Sequence, residues 1–399
     1  MNRIKFQRGF YKTVRFLLQP VFKAFLNYHS EPVRITAQPA LILANHTTNL
    51  DPVMMGISFP DHMLFVASEH IFRLGWLSRL IVFFLNPIMR VKARTELRTA
   101  SEIMKTLRSG INVCMFAEGS ASWNGESGEI PDSTIKLAHR SGFPLVTYRI
   151  EGGYLSMPRW GASFRRGKIQ GMLIQQYSVE ELRSMTYEEL EAAIYRDLYF
   201  NIFQRNEHLK IAYKGQRLAE DLEALLFLCP QCHKIASIHS NGDQLRCDCG
   251  LQLRYTEHGL FESLTDTVAP FHTVLDWDLW QRQHLAETSL ALREMPLDEP
   301  ICSDEDQRLY RFQPGIRSEL IACGRLALYR DRLELQDARQ HQPFIFPLST
   351  ISDMALIIQR LLTFTVNGED FYEVKSTLPR SALKYVMICH QLADMRIML

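Results

Sequence analysis

The chain has 399 residues, 46% of them hydrophobic and 22% charged. It should therefore hold two or three compact units, and a single small module, a disordered polymer and a collagen-like repeat are excluded. Forty-five basic side chains against 44 acidic ones leave a formal charge of +1, which argues against a body that binds polyphosphate over its whole surface.

Residues 1 to 30 carry Arg3, Lys5, Arg8, Lys12, Arg15 and Lys23, with no acid before Glu31, a local charge of +6. Phe6, Phe10, Val14, Leu17, Val21 and Phe25 recur at spacings of three and four and share one helical stripe, which Pro20 is expected to bend. A basic amphipathic helix with aromatics is predicted to lie in a membrane interface; the alternative is packing on the protein's own core. The longest uncharged apolar stretch, Leu80 to Met89 between Arg79 and Arg90, is shorter than the ~20 residues that cross a bilayer. No signal peptide is evident either, so the expected location is cytoplasmic and peripheral, on the inner face of the membrane.

Strands and helices then alternate. Ala40 to Ala44, Asn112 to Ala117 and Pro144 to Ile150 are apolar runs of strand length. Thr95 to Ser109 is predicted as a helix stopped by Gly110, and Asp132 to Ser141 as one stopped by Gly142. An amphipathic helix through Glu180 to Phe203 closes an α/β unit, residues 31–215, built on a mostly parallel sheet.

The first strand runs into Asn45-His46-Thr47-Thr48-Asn49-Leu50-Asp51-Pro52. Asp before Pro is a good helix-opening pair, which leaves His46 in a loop that can return to the Asp51 carboxylate. There Asp51 would fix the imidazole tautomer, and His46 could take a proton from an attacking hydroxyl. The plainer reading makes Asp51 a cap and His46 a polar loop residue. The second strand ends in Phe116-Ala117-Glu118-Gly119-Ser120. If the strands are parallel, His46 and Glu118 emerge at the same carboxyl edge, where open α/β sheets place ligands. Glu118 could bind acceptor hydroxyls or simply stabilise its turn.

With these motifs the chain resembles the glycerolipid acyltransferases that include 1-acylglycerol-3-phosphate acyltransferases, over about residues 35–160. Asn45, His46 and Asp51 match the family's Asn-His-x4-Asp motif, and Phe116 to Ser122 resembles its Phe-Pro-Glu-Gly-Thr-Arg-Ser block. The resemblance implies an acyltransferase with His46 as general base, oriented by Asp51. A lipid hydroxyl would attack an acyl thioester carried by coenzyme A or acyl carrier protein. It also implies substrate-binding roles for Asn45, for Arg90 or Arg94, and for Glu118, Gly119 and Ser120. Backbone amides of the loop beginning at His46 are the candidate oxyanion donors.

The chain departs from the family at Ala117 and at Ser120-Ala121, where the arginine expected to hold an acceptor phosphate is missing. Arg149 and the cluster Arg159, Arg165, Arg166 and Lys168 are candidates to replace that cation; the alternative is scattered surface charge. The acceptor is therefore a lysophospholipid or related lysolipid, without a specified headgroup. The alternative reading is a weak or inactive acyltransferase-like membrane scaffold. Ser133-x-x-Lys136 and Ser381-x-x-Lys384 lack the partner motifs of a serine nucleophile.

Cys229-Pro-Gln-Cys232, fourteen residues, then Cys247-Asp-Cys249 presents four thiols on two tight turns, the pattern of a closed, structural tetrahedral zinc site in a ribbon at residues 216–265. His233 and His239 are reserve ligands. The ribbon's charge from Leu225 to Leu264, three bases against four acids, makes nucleic acid a poor partner. A linker with one helix is expected over residues 266–319, its acids running from Glu287 to Asp306. Residues 320–399 read as a mainly-β domain: strand-like runs Arg325 to Tyr329, Arg332 to Leu335, Pro343 to Phe346, Leu361 to Val366 and Phe371 to Val374, an Asn367-Gly368 turn, and a helix from Ser381 to Leu392. That arrangement resembles a pleckstrin-homology or GRAM domain. The expected partners are thus a membrane surface, a lysolipid and an acyl thioester.

Overall fold

A computed structural model describes residues 3–68, 87–90, 96–312, 318–337, 342–357, 359–376 and 381–393. Most of the Leu80 to Met89 stretch, Arg94 and Thr95 lie outside these residues, as do the side chains of Phe6, Val14 and Arg90. The chain divides into two compact units, one of residues 1–159 and 164–214, the other of residues 160–163 and 215–399.

The first unit is built on a seven-stranded sheet. Its strands are β1 (Tyr28–His29), β2 (Leu41–Ala44), β3 (Met63–Ser68), β4 (Ile88–Arg90), β5 (Asn112–Phe116), β6 (Leu145–Glu151) and β7 (Ile169–Tyr177), in the order β1-β7-β6-β2-β5-β3-β4. Every pairing is parallel except β6 with β7, so the expected mostly parallel sheet is present. Alternation along the strands buries both faces, as a parallel sheet requires. Leu41 and Leu43 join Val113 and Leu145 under helices Glu96–Arg108, Asp132–Arg140 and Tyr187–Leu198. Ile42 and Ala44 join Cys114, Val146 and Tyr148 on the opposite face, with α1 (Arg3–Leu26) and α2 (Asp51–Ser58). Each Leu or Ile so buried contributes about 1.5–3 kcal/mol.

Gly110 and Gly142 adopt φ values of +82° and +70°, so these stop glycines provide the left-handed turn a side chain would resist. One expectation needs correction. Glu180 to Phe203 is not one helix but parts of three, Val179–Ser184, Tyr187–Leu198 and Ile202–Leu209. Ser178 with Glu181, and Thr186 with Glu189, form reciprocal capping boxes that restart the chain, and Asn201 caps the third helix.

Helix α1 has two apolar sides. Tyr11, Arg15, Phe22 and Leu26 face the unit's body: the Tyr11 hydroxyl donates to the carbonyl of Phe59 at 2.7 Å, and Arg15 Nη2 to that of Ile57 at 3.0 Å. Leu17, Val21 and Phe25 of the predicted stripe are 60%, 61% and 54% exposed, beside Phe16 at 78%. Among the described residues no helix is long and apolar enough to cross a membrane.

The second unit holds two antiparallel sheets. Strands β8 (Ile238–Asn241), β9 (Gln244–Cys247), β10 (Gln252–Tyr255) and β11 (Phe261–Ser263) form a four-stranded sheet that carries the cysteines. Helix Val274–Glu287 packs beside it. Its buried Gln281 accepts the amides of Phe227 and Leu228 and donates to the carbonyl of Leu225. The C-terminal sheet has seven strands, β12 (Cys302–Phe312), β13 (Glu319–Leu328), β14 (Arg332–Asp337), β15 (Phe344–Pro347), β16 (Ile351–Ile357), β17 (Leu361–Val366) and β18 (Asp370–Ser376), in the order β15-β14-β13-β12-β18-β17-β16.

The acidic stretch read as linker instead supplies β12, the central strand of that sheet. Asp304 meets the 1%-exposed Lys384 of helix Leu383–Ala393 at 2.7 Å and accepts the Tyr385 hydroxyl at 2.6 Å. Asp304 is thus a partner in an internal ion pair, while Glu287, Glu294, Asp298, Glu299, Glu305 and Asp306 are exposed.

Candidate active site and metal centre

The register Ala44↔Phe116 and Ala44↔Tyr148 brings the carboxyl ends of β2 and β5 level, while β6 runs on beside them to Glu151, so the loops after β2 and β5 meet at one edge. Asn45 ties the first of them to β6: its side chain donates to the Ile150 carbonyl and accepts the Ile150 amide, at 2.9 and 2.7 Å. It therefore acts on the scaffold.

The loop after β2 turns back on itself. His46 Nδ1 lies 2.8 Å from Asp51 Oδ2, with the imidazole side chain 16% exposed and the carboxylate fully buried. Asp51 is closed in by further donors, the amides of Thr47 and Thr48 at 2.6 and 3.0 Å and the Thr47 hydroxyl at 3.0 Å. A carboxylate so occupied is an acceptor only, so the proton of the His46–Asp51 contact sits on Nδ1 and leaves the Nε2 lone pair for chemistry. Phe116 stacks on the ring at 4.3 Å and 19°, which restricts its rotation.

Glu118 comes from the neighbouring strand end to the same loop. Its Oε1 accepts the His46 amide at 3.0 Å and its Oε2 accepts the Gly128 amide at 2.8 Å. Desolvation pushes its carboxyl up to about 8, against those two amides, while the Asp51 charge adds to the rise. Glu118 therefore holds the histidine loop in place, with both oxygens already engaged. Gly119 follows with φ +76° and its amide on the Phe116 carbonyl, leaving Ser120 half-buried in the turn.

Two expectations meet different geometry. The amides of His46, Thr47 and Thr48, candidate oxyanion donors by loop position, already donate to Glu118 and Asp51. Arg149 bonds Glu151 at 3.0 Å and the Asp197 carbonyl at 3.3 Å, and Glu151 also holds Arg205 at 2.7 Å. Its guanidinium is thus part of an internal network beside helix Tyr187–Leu198. Arg90 ends β4, and Arg94 lies outside the described residues.

Thr47, Thr48 and Gly153 belong to the site without having been singled out in the sequence. A Cβ on Gly153 would stand 2.2 Å from Thr47 Oγ1, so the start of the short helix Gly153–Ser156 must be bare for the loop to close. Asp51 is the first residue of α2, after the cap position Leu50, and its carboxylate turns back to the loop instead of capping the helix; the paired threonines between His46 and Asp51 were the readable signal, since short hydroxyl residues commonly bond groups close in sequence.

In the second unit the sulfurs of Cys229, Cys232, Cys247 and Cys249 all lie within 4.8 Å of one another. Two of the edges, Cys229 to Cys249 and Cys232 to Cys247, measure 3.7 Å. A tetrahedron with Zn–S bonds of about 2.3 Å has edges of about 3.8 Å, so these two edges match those of a zinc site. Gly250, at φ +101° and with its amide on the Cys247 carbonyl, makes the short Cys-Asp-Cys turn possible. Among the described residues no other group of three or more potential ligands gathers in this way. His233 packs against Trp280 and His284 instead, and His239 faces Asp248 at the surface.

Comparison with known proteins follows the same division of the chain. The acyltransferase family model matches residues 26–151. The 1-acyl-sn-glycerol-3-phosphate acyltransferase of Saccharomyces cerevisiae is 27% identical over 155 residues, 37% of this chain and 50% of the relative. A probable 1-acyl-sn-glycerol-3-phosphate acyltransferase of Mycoplasma pneumoniae is 25% identical over 30% of this chain and 47% of its own length. The chain thus spans half or less of these curated relatives. The crystal structure of the 1-acyl-sn-glycerophosphate acyltransferase from Thermotoga maritima aligns with 53% of this chain and 83% of its own, at 19% identity and a TM-score of 0.41. Residues 26–151 are an acyltransferase-type segment, distantly related to the 1-acyl-sn-glycerol-3-phosphate acyltransferases.

Proposed function

We propose that the protein transfers a fatty acyl chain from an acyl thioester of coenzyme A or acyl carrier protein to a hydroxyl of a lysolipid, with His46 as general base. The observation that carries this reading is the 2.8 Å contact between His46 Nδ1 and a buried Asp51 at the carboxyl edge of a parallel sheet. In this mechanism Nε2 takes the proton of the acceptor hydroxyl as its oxygen attacks the thioester carbonyl. The tetrahedral intermediate collapses, the carbon–sulfur bond breaks, and the imidazolium returns the proton to the departing thiolate. Asp51 stabilises the imidazolium without itself taking the proton. No covalent enzyme intermediate is required, because a thioester is already activated.

The exposed side of α1, with Phe16, Leu17, Val21 and Phe25, supports attachment to a lipid surface, and the bases of residues 1–30 favour an anionic one. The four cysteines, in this reading, hold a structural zinc ion with no open coordination position. The C-terminal sheet with its closing helix is a pleckstrin-homology-like attachment module.

The deciding experiment follows thiol release from an acyl thioester with a panel of lysolipids in vesicles. Acceptor-dependent release by the wild type that falls by at least about 100-fold in His46→Ala supports the proposal. Equal rates for the two proteins with every acceptor would leave a membrane scaffold as the better description.

A further inference from the structure

The last turns of α1, the segment that follows it and strand β7 enclose a groove of about 970 Å³. Pro20, Lys23 and Ala24 line it from the helix, Arg34 from the segment, and Arg166 and Leu173 from the β7 side. One wall is fixed by β1, which pairs with β7 as Tyr28↔Ile169 and His29↔Gln170. The Tyr28 hydroxyl lies 2.7 Å from Ser58 Oγ and 2.9 Å from the Tyr148 hydroxyl. None of the lining residues comes from the loops after β2 and β5 that carry His46 and Glu118.

The charge of the groove is one-sided. Lys23, Arg34 and Arg166 line it against a single acid, Glu31, and among the described residues none of the three cations is in an ion pair. Lys23 Nζ donates to the Ser30 carbonyl at 3.1 Å, which ties the ammonium to the opposite segment with two of its three N–H groups left. Arg34 and Arg166 are exposed, and among the described residues neither guanidinium has a hydrogen-bond partner. An anion arriving between them displaces water only, and each guanidinium can offer it a charge-assisted fork.

The groove also continues the bare side of α1. Leu17, Val21 and Ala24 recur at spacings of four and three, with Pro20 between them, and so share one face of the helix. Pro20 and Ala24 are exposed on that face and line the groove, so an apolar surface resting on Leu17 and Val21 reaches its mouth. The ligand that suits both parts has an anionic head for the cations and an apolar body that stays with α1 and Leu173. We infer that the groove is a headgroup site for an anionic phospholipid, its phosphodiester recognised by Lys23, Arg34 and Arg166. The inference rests on the proposed lipid attachment of α1 and names the lipid class that secures it. This lipid is a resident of the surface, not the acceptor on which His46 would act.

The test compares full-length wild type with Arg34→Gln/Arg166→Gln, each checked by thermal melting. Lys12→Gln/Arg108→Gln is the charge-matched control, because it removes two exposed cations outside the groove. Calorimetric titration uses dihexanoyl phosphatidylglycerol, dihexanoyl phosphatidylcholine and inorganic phosphate, all soluble without a bilayer. The wild type should bind the phosphatidylglycerol at least about tenfold more tightly than either of the others. Arg34→Gln/Arg166→Gln should weaken that binding at least about tenfold, and the control by less than about twofold. An equal loss in the control would reduce the effect to net charge, and inorganic phosphate bound as tightly as the lipid would make this a free-anion site. Either result overturns the lipid site, as does a wild type that binds acyl carrier protein through the two arginines and does not bind the lipid.

Co-sedimentation with phosphatidylcholine vesicles, with and without phosphatidylglycerol, separates this inference from the attachment it rests on. The wild type should pellet with the mixed vesicles, and Arg34→Gln/Arg166→Gln should need at least about tenfold more lipid to do so. A wild type that pellets with neither vesicle removes the attachment of α1, while arginine-dependent binding of the short-chain lipid still supports the headgroup site. Short-chain binding that is undiminished in Arg34→Gln/Arg166→Gln, or absent from the wild type, overturns it.

Discussion

The backbone amide of His46 is held at 3.0 Å by the side chain of Glu118, a residue from the neighbouring strand end. The position of the imidazole is therefore set by two acidic side chains: Asp51 holds the ring, and Glu118 holds the backbone that carries it.

Asp51→Asn tests the first. An amide in this place can present N–H where the imidazole Nδ1–H and two backbone amides need an acceptor, so both the tautomer and the loop suffer. Turnover in the thiol-release assay should fall by about 10²- to 10⁴-fold. Chemical denaturation should also show a loss of about 1–3 kcal/mol from the donors left unbonded. Full activity in Asp51→Asn would count against the pair.

Glu118 gives a pH signature. Its carboxyl is raised from 4.5 to about 8 by burial. Between those values the folded protein keeps a proton that the unfolded chain has lost. The stability contributed by this group is therefore full below about 4.5 and declines as pH rises through about 8. Glu118→Gln lacks this titration. The stability difference between wild type and Glu118→Gln, from urea melts at about pH 5, 6.5 and 8, should move against the wild type as pH rises. A difference that moves the other way would show that Glu118 ionises at an ordinary or lowered pH.

Gly153→Ala places a methyl group 2.2 Å from Thr47 Oγ1 and 3.2 Å from Thr48 Cγ2. Relieving that overlap moves the loop on which His46 sits, at a cost of about 1–3 kcal/mol, and activity should drop with the melting temperature. Gly9→Ala is the matched control, because no atom lies within 4 Å of its new Cβ.

The cysteine cluster predicts about one zinc ion per chain in metal analysis. Cys247→Ser should reduce that content and lower the thermal stability of the unit of residues 160–163 and 215–399. A chelator should do the same to the wild type, because an ion that binds only the folded form stabilises it by mass action. Unchanged zinc in Cys247→Ser would exclude this ligand set.

Features set by short stretches of chain were legible in the sequence. The Asp51-Pro52 opening of α2 lies five residues after His46, and the spacing of the four cysteines fixes where their turns can meet. The strand–helix alternation with its stop glycines placed β2, β5 and β6 within a residue or so. Residues whose roles depend on approach from afar were not legible. Nothing local tells Glu118 that its oxygens will meet the amides of His46 and Gly128, or Arg149 that Glu151 and Asp197 will occupy it. Asp304 looked like a solvated linker acid because its partner Lys384 lies 80 residues away. The division of the stretch after Ser178 into three helices is a different kind of miss, since Ser178-x-x-Glu181 and Thr186-x-x-Glu189 stood in the sequence as start signals.

The contacts of Tyr11 and Arg15 with the far end of α2 have a mechanical meaning. Asp51 is the first residue of that helix, and Gly56, Ile57 and Phe59 at its end receive the Tyr11 hydroxyl and the Arg15 guanidinium. Eight residues make a strut about 12 Å long, with the reactive pair at one end and α1 clamped to the other. In the proposed reading, a lipid surface against Phe16, Leu17 and Val21 would stand at a distance from the imidazole that this strut fixes. Adding or removing one helical turn in α2 would then reset how far the proposed reaction reaches into that surface.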